Sequence, residues 1–120
     1  MNFDNNQPIY IQIGTLIKEQ ILTGILQAGE KLPSVREYAV IFEVSPLTIH
    51  RALQYLEQEH VIVTRKGIGS FVQQKMKETL TEQMIDGQVR EFVARMKSYG
   101  VTQAEMMGMI QKVWKGGDAK

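Results

Sequence analysis

Cysteine is absent from the 120 residues, which excludes a disulfide framework, a thiolate nucleophile and a Cys-based zinc site, and suits a reducing compartment. No apolar run approaches membrane-spanning length, so no membrane partner is expected. The start, "MNFDNNQP", has no basic region leading into an apolar stretch, and a secretory signal is not expected there. Cytoplasm is the default compartment. An excess of one charge is lacking too. Residues 1–74 hold six Lys or Arg against seven Asp or Glu, a formal charge of −1, and the rest carries +2 of the overall +1. Without a strong overall field, any argument for a polyanionic partner rests on where the few cations sit. Catalytic patterns are equally thin. His50 and His60 stand ten apart with no HExxH-like carboxylate pattern, so no metal or other cofactor is expected, and Thr64, Ser70 and Thr79 have no recognisable base partner. An enzyme is not expected.

What is present is helical patterning. From near Pro8 to about Gly24, Ile9, Ile13, Leu16, Ile17 and Ile21 make one apolar stripe, while Gln12, Lys18 and Glu19 are expected to face water. The connection "GILQAGEKLP" loses this period, and Leu26 and Leu32 are expected to pin it to the core. Ser34 with Glu37 is a capping box opening a second helix, whose buried face is Val35, Tyr38, Ala39 and Phe42. Ser45 as N-cap and Pro46 at the first helical position restart helix formation at once. Ile49, Ala52, Leu53 and Leu56 form the inward stripe of this third helix; Leu47, Thr48, His50, Arg51, Gln54 and Tyr55 lie wholly or partly outside it. Two capped helices this close in sequence form a bent pair.

In "VIVTRKGIGSFV" the period shifts toward strand. Val61, Val63 and Ser70, Phe71, Val72 flank a glycine-containing turn, with Arg65 and Lys66 beside it: a small antiparallel hairpin with a basic tip, in which Phe71 is expected to be core. "GIG" lacks the strand, loop and helix order of a dinucleotide site and the GK[ST] ending of a phosphate loop. Beyond Gln73 the chain returns to helix. Ile85, Val89, Phe92, Met96 and Tyr99 recur in steps of four and three, joined upstream by Leu80 and Met84; Thr102 and Glu105 cap a final helix with the stripe Met106, Met109, Ile110, Val113 and Trp114. Two helices have little core to share, so this unit is expected to bury its seam against another chain or against the first domain; Leu80 through Trp114 on these stripes are the candidates for a dimer seam with a second copy. The methionines (Met84, Met96, Met106, Met109) read as adaptable packing, and whether a small apolar effector also enters the seam stays open.

The expected fold is therefore mainly α with a small β-hairpin: a winged helix-turn-helix over 1–74 and a two-helix dimerisation unit over 75–120. The outward residues of a helix's first turns reach base edges when it enters a major groove. Here Ser45 and Thr48 are suited to phosphates or bases, Leu47 to a thymine methyl, and Arg51 to guanine or a phosphate. The capped helix start is expected to offer unpaired amides to a phosphate as well. Each residue also has a plainer reading. Arg36 and Arg51 taken singly fit equally as solvent-facing charges, His50 as exposed filler, and Tyr55 as a cover for the hairpin or first helix. The capped pair and basic hairpin in this order favour double-stranded DNA.

The set "PIYIQI", "TGIL", "GEKLPSVREYA", "VSPLTIHRALQYLEQE" and "RKGIGSFV", over residues 8–72, resembles the GntR superfamily of bacterial transcriptional regulators and, more narrowly, its short YtrA-like branch. The resemblance implies an N-terminal winged domain on operator DNA and a small C-terminal helical unit making a homodimer, often controlling neighbouring transporter operons. It implies DNA contact at Arg36 of "PSVRE", at Ser45, Leu47, Thr48 and Arg51 of the recognition helix, and at Lys66 and Gly67 of the wing tip beside Arg65. Large effector domains with metal or carboxylate sites have no counterpart here. His60 stands where the family commonly has Gly, and Pro46 and Leu47 replace more usual polar residues, which bears on which operator is read. A winged protein-interaction module that does not bind specific DNA is the alternative.

Overall fold

A computed structural model describes residues 2–116. The chain divides into two compact units, Met1–Thr81 and Glu82–Lys120. This division falls beyond residue 74, so the short helix following the hairpin belongs with the first unit.

The first unit begins with α1 (Ile9–Leu22), then α2 (Val35–Phe42) and α3 (Pro46–Gln58). Ile13, Ile17 and Ile21 of α1 are buried, each removal from water being worth about 1.5–3 kcal/mol. Ile9 instead is exposed, and Leu16 is only half-buried, because the face of α1 that meets α3 is centred on Gly14. Leu26 and Leu32 are buried and anchor the connection as their pattern requires.

The Ser34 capping box forms in full: Ser34 Oγ accepts from Glu37 N at 3.1 Å and Glu37 Oε1 accepts from Ser34 N at 2.8 Å. Tyr38 and Phe42 are buried from α2, while Ile49, Ala52 and Leu56 are buried from α3; Leu53 is half-buried. Both helices end on non-glycine residues in the left-handed region, Glu43 at φ 59° and His60 at φ 62°. Val44 N then reaches Ala39 O at 3.1 Å and Val61 N reaches Leu56 O at 2.9 Å, the six-to-one bonds that close a Schellman turn. Glycine is the usual residue there, and its absence leaves no ordinary stop signal in the sequence.

The hairpin pairs β1 (Ile62–Arg65) with β2 (Gly69–Val72) antiparallel, with Ile62 opposite Val72 and Arg65 opposite Gly69. Ile62 and Val72 are buried; Val63 and Phe71 lie on the other face and are half-buried. Phe71 is thus not core, a consequence of the two-residue alternation once Val72 is turned inward. A third segment joins the outer edge of β2: Leu32 N donates to Ser70 O at 2.8 Å, Val72 N to Glu30 O at 2.9 Å and Gly29 N to Val72 O at 2.8 Å. Then α4 (Met76–Thr81) packs on α1, burying Met76 and Leu80. Leu80 is therefore part of the first unit's core rather than free for a dimer seam.

The second unit opens with a π-helical turn, Glu82–Asp86, and continues as α5 (Gly87–Ser98) and α6 (Gln103–Trp114). The step of five from Leu80 to Ile85 falls at the π turn, whose i to i+5 bonding accommodates one residue more than an α turn. Thr102 and Glu105 form their capping box. None of the described residues in this unit is buried. Among the described residues no helix is long and apolar enough to cross a membrane.

Candidate nucleic-acid interface

Ser45 sets the start of α3 by accepting from Thr48 N at 3.2 Å, and its hydroxyl lies 3.1 Å from Thr48 Oγ1. Pro46 follows with no amide hydrogen. Ile49 N donates to Ser45 O at 3.3 Å, so at this end Leu47 N–H is the amide left without a partner among the described residues. The expectation of several outward amides is corrected accordingly: the cap that starts the helix occupies most of them.

Leu47 is 61% exposed and Arg51 is exposed one turn later on the same face, with Thr48 half-buried between them. Arg36 is exposed in the first turn of α2, and Arg65, Lys66 and Gly67 are exposed at the hairpin tip. Ile68 N donates to Arg65 O at 2.9 Å, closing the turn, with Gly67 at φ 78°. Among the described residues none of Arg36, Arg51, Arg65 or Lys66 shares an ion pair. Their charges are uncompensated among the described residues. Arg65 does have one contact, its guanidinium standing 5.7 Å from the centre of the Phe71 ring.

Tyr55 belongs to the fold. Its ring meets Tyr10 edge-on at 6.2 Å, and Lys18 lies 5.1 Å over it while donating to its hydroxyl at 3.3 Å. Lys18 also faces Glu59 at 3.8 Å and is only 11% exposed, so it is not the water-facing residue its place on α1 predicts. The reason is tertiary: α3 crosses α1 at this point and brings an aromatic ring and a carboxylate over the lysine. His50 is exposed. Among the described residues no group of three or more His, Asp or Glu is placed to hold a metal.

Sequence reasoning missed Gly14, whose lack of a side chain admits the Tyr55 ring, and it missed the third wing segment with Lys31. The first had a signal, a glycine inside an apolar helical stripe. The second had none, because a single bridging residue has no period.

Apart from the buried Leu80, the dimer-seam candidates fall into two groups. Ile85, Val89, Phe92, Met109, Ile110, Val113 and Trp114 are exposed, Trp114 at 86%, while Met84, Met96 and Met106 are half-buried. Between α5 and α6 runs an open groove of about 910 Å³ lined by Ile85, Val89, Phe92, Met96, Met106 and Ile110 among others.

A winged helix-turn-helix with these exposed cations is the architecture of a DNA-binding regulator. The chain belongs to the bacterial regulatory proteins of the gntR family, whose model matches residues 9–72. Within it the chain falls in the short YtrA-like branch. It is 36% identical to the HTH-type transcriptional repressor YtrA of Bacillus subtilis over 91% of this chain and 86% of that one. It is also 36% identical to the HTH-type transcriptional regulator YhcF of the same organism, over 96% and 97%. A GntR family transcriptional regulator from Listeria monocytogenes superposes with a TM-score of 0.80 at 35% identity, covering 92% of this chain and 98% of that one. The protein is thus a DNA-binding regulator and not an enzyme.

Proposed function

We propose that this regulator is a homodimeric repressor that binds an inverted-repeat operator and controls a transporter-type operon. The observation that carries the dimer is the second unit's failure to bury any of its described side chains, although α5 and α6 both present apolar stripes. Packing those stripes against a second copy removes them from water, and an isologous contact of this kind closes with two-fold symmetry. Two α3 helices then stand about one DNA turn apart, roughly 34 Å.

In this reading Arg36, Arg65, Lys66, Gly67 and Ser45 hold the sugar-phosphate backbone, and Leu47, Thr48 and Arg51 read bases. Repression is supported by the likeness to the repressor YtrA, and the transporter target by the habit of the branch it resembles. Occupancy near a promoter would block polymerase.

Selection of bound fragments from random duplex DNA, followed by titration at several salt concentrations, tests the proposal. Inverted repeats with half-sites one turn apart, bound by a dimer with affinity that falls steeply with salt, are expected. Direct repeats, a monomer on DNA, or salt-insensitive and sequence-blind retention would refute it, the last in favour of a protein-interaction module.

A further inference from the structure

We infer that Lys31 is a phosphate-binding residue of the wing, delivered to the hairpin by the third strand segment. The inference rests on the operator-binding reading above and adds a contact that the hairpin's own sequence does not contain. Lys31 bridges Phe71 in antiparallel fashion, flanked by the Leu32 to Ser70 and Val72 to Glu30 hydrogen bonds. In a pleated sheet, residues two apart share a face, so Lys31, Phe71 and Val63 form one row and Gly69 with Arg65 the next row toward the tip.

The Lys31 side chain runs diagonally along that face. A β-carbon on Gly69 would stand 2.7 Å from Lys31 Cε and 3.7 Å from Nζ. Glycine at 69 makes the room. Its φ of 142° is one that side-chain-bearing residues rarely adopt, so the backbone holds this position to glycine, while the far end of the lysine is free to swing aside. On the same face Arg65 leans over Phe71. Two cations thus share the face above a half-buried aromatic floor, next to Lys66 in the turn.

The Lys31 charge is uncompensated, since among the described residues it makes no ion pair. The neighbouring Glu30 accepts from Gln27 N at 2.9 Å. A flexible ammonium of this kind binds phosphate as a point charge, without reading sequence. In a unit whose first 74 residues are formally −1, one further cation on the wing matters.

The test is a salt titration of the intact protein on its selected operator and on an unrelated duplex, comparing the parent with Lys31→Gln and Lys31→Arg. The expected result is a similar loss of affinity on both duplexes for Lys31→Gln. Its log–log salt slope should be shallower by about one per protomer, and Lys31→Arg should keep the parent slope. An operator bearing neutral methylphosphonates on the wing side provides a second arm: it should flatten the slope of the parent more than that of Lys31→Gln, whatever the variant's stability. An unchanged slope for Lys31→Gln, a loss confined to the operator, or equal flattening of both proteins would overturn the assignment. If the parent itself ignores duplex DNA at low salt, the failure is that of the operator-binding reading.

Discussion

Tyr55 lies against Gly14 so closely that a β-carbon on the glycine would stand 2.7 Å from the ring's Cδ2 and 2.8 Å from its Cε2. The helix that carries the candidate base-reading residues is seated on α1 through this contact, with Lys18 closing over the ring from the side. The position of α3 therefore depends on an atom that α1 does not have.

Gly14→Ala should destabilise the protein by about 1–3 kcal/mol, because overpacking at a ring edge outweighs the gain of up to about 1 kcal/mol in helix propensity. Denaturant unfolding measures the balance. A net gain in stability would show that Tyr55 gives way freely.

Tyr38→Phe should stabilise. The Tyr38 hydroxyl is buried with no hydrogen-bond partner among the described residues, and its ring lies tilted at 5.5 Å on Phe42, a contact that phenylalanine keeps. Burial, with a further contribution from Glu30, pushes the phenol well above its ordinary pKa. Removing an unsatisfied buried hydroxyl is worth about 1–3 kcal/mol. Thermal unfolding should show the midpoint rise; a fall would mean that the hydroxyl is satisfied in solution.

Arg51→Ala should weaken operator binding by about 1–3 kcal/mol and relax preference at one base position per half-site. Anisotropy titration against operator variants reads both effects. Equal affinity of variant and parent would remove Arg51 from base reading.

Acid should loosen α6. Thr102 N and Thr102 Oγ1 donate to Glu105 Oε1 at 2.9 Å and 3.1 Å, and these bonds, the backbone one first, hold the carboxyl below its usual value. A lowered folded pKa means that the cap's contribution is complete above the ordinary glutamate pKa of about 4.3 and is lost as pH falls through the folded value. Amide exchange in α6 followed down the pH scale should accelerate in the parent. Glu105→Gln, which keeps a capping side chain without the titration, should show no such step; identical profiles would exclude the carboxylate as the cause.

The helix starts were legible because caps are local chemistry. Ser34 with Glu37 and Thr102 with Glu105 satisfy neighbouring amides within four residues, Ser45 accepts from Thr48 N beside a Pro46 that has no amide hydrogen, and all three starts form. The helix ends at Glu43 and His60 were not legible in the same way, since neither is the glycine that usually takes a left-handed turn. The candidate DNA-contacting residues of α3 were readable as the complement of a buried stripe. Lys18 was misread because a helical period says which side a residue takes, not what another element brings there; Phe71 was misread because strand alternation alone does not say which of its two faces turns inward, and Val72 takes that face. Leu80 was misread because its stripe continues into the next unit across a π turn, and only its contacts assign it to the first unit's core.

The chain's own order of residues determined the elements, their caps, the bent helix pair and the basic hairpin tip, because each depends on groups a few bonds apart. Tertiary structure alone decided that Tyr55 closes on Gly14, that Lys31 joins the wing, and that Leu80 packs into the first unit's core. Those outcomes depend on which surfaces meet after the chain turns back on itself, and no local period encodes that meeting.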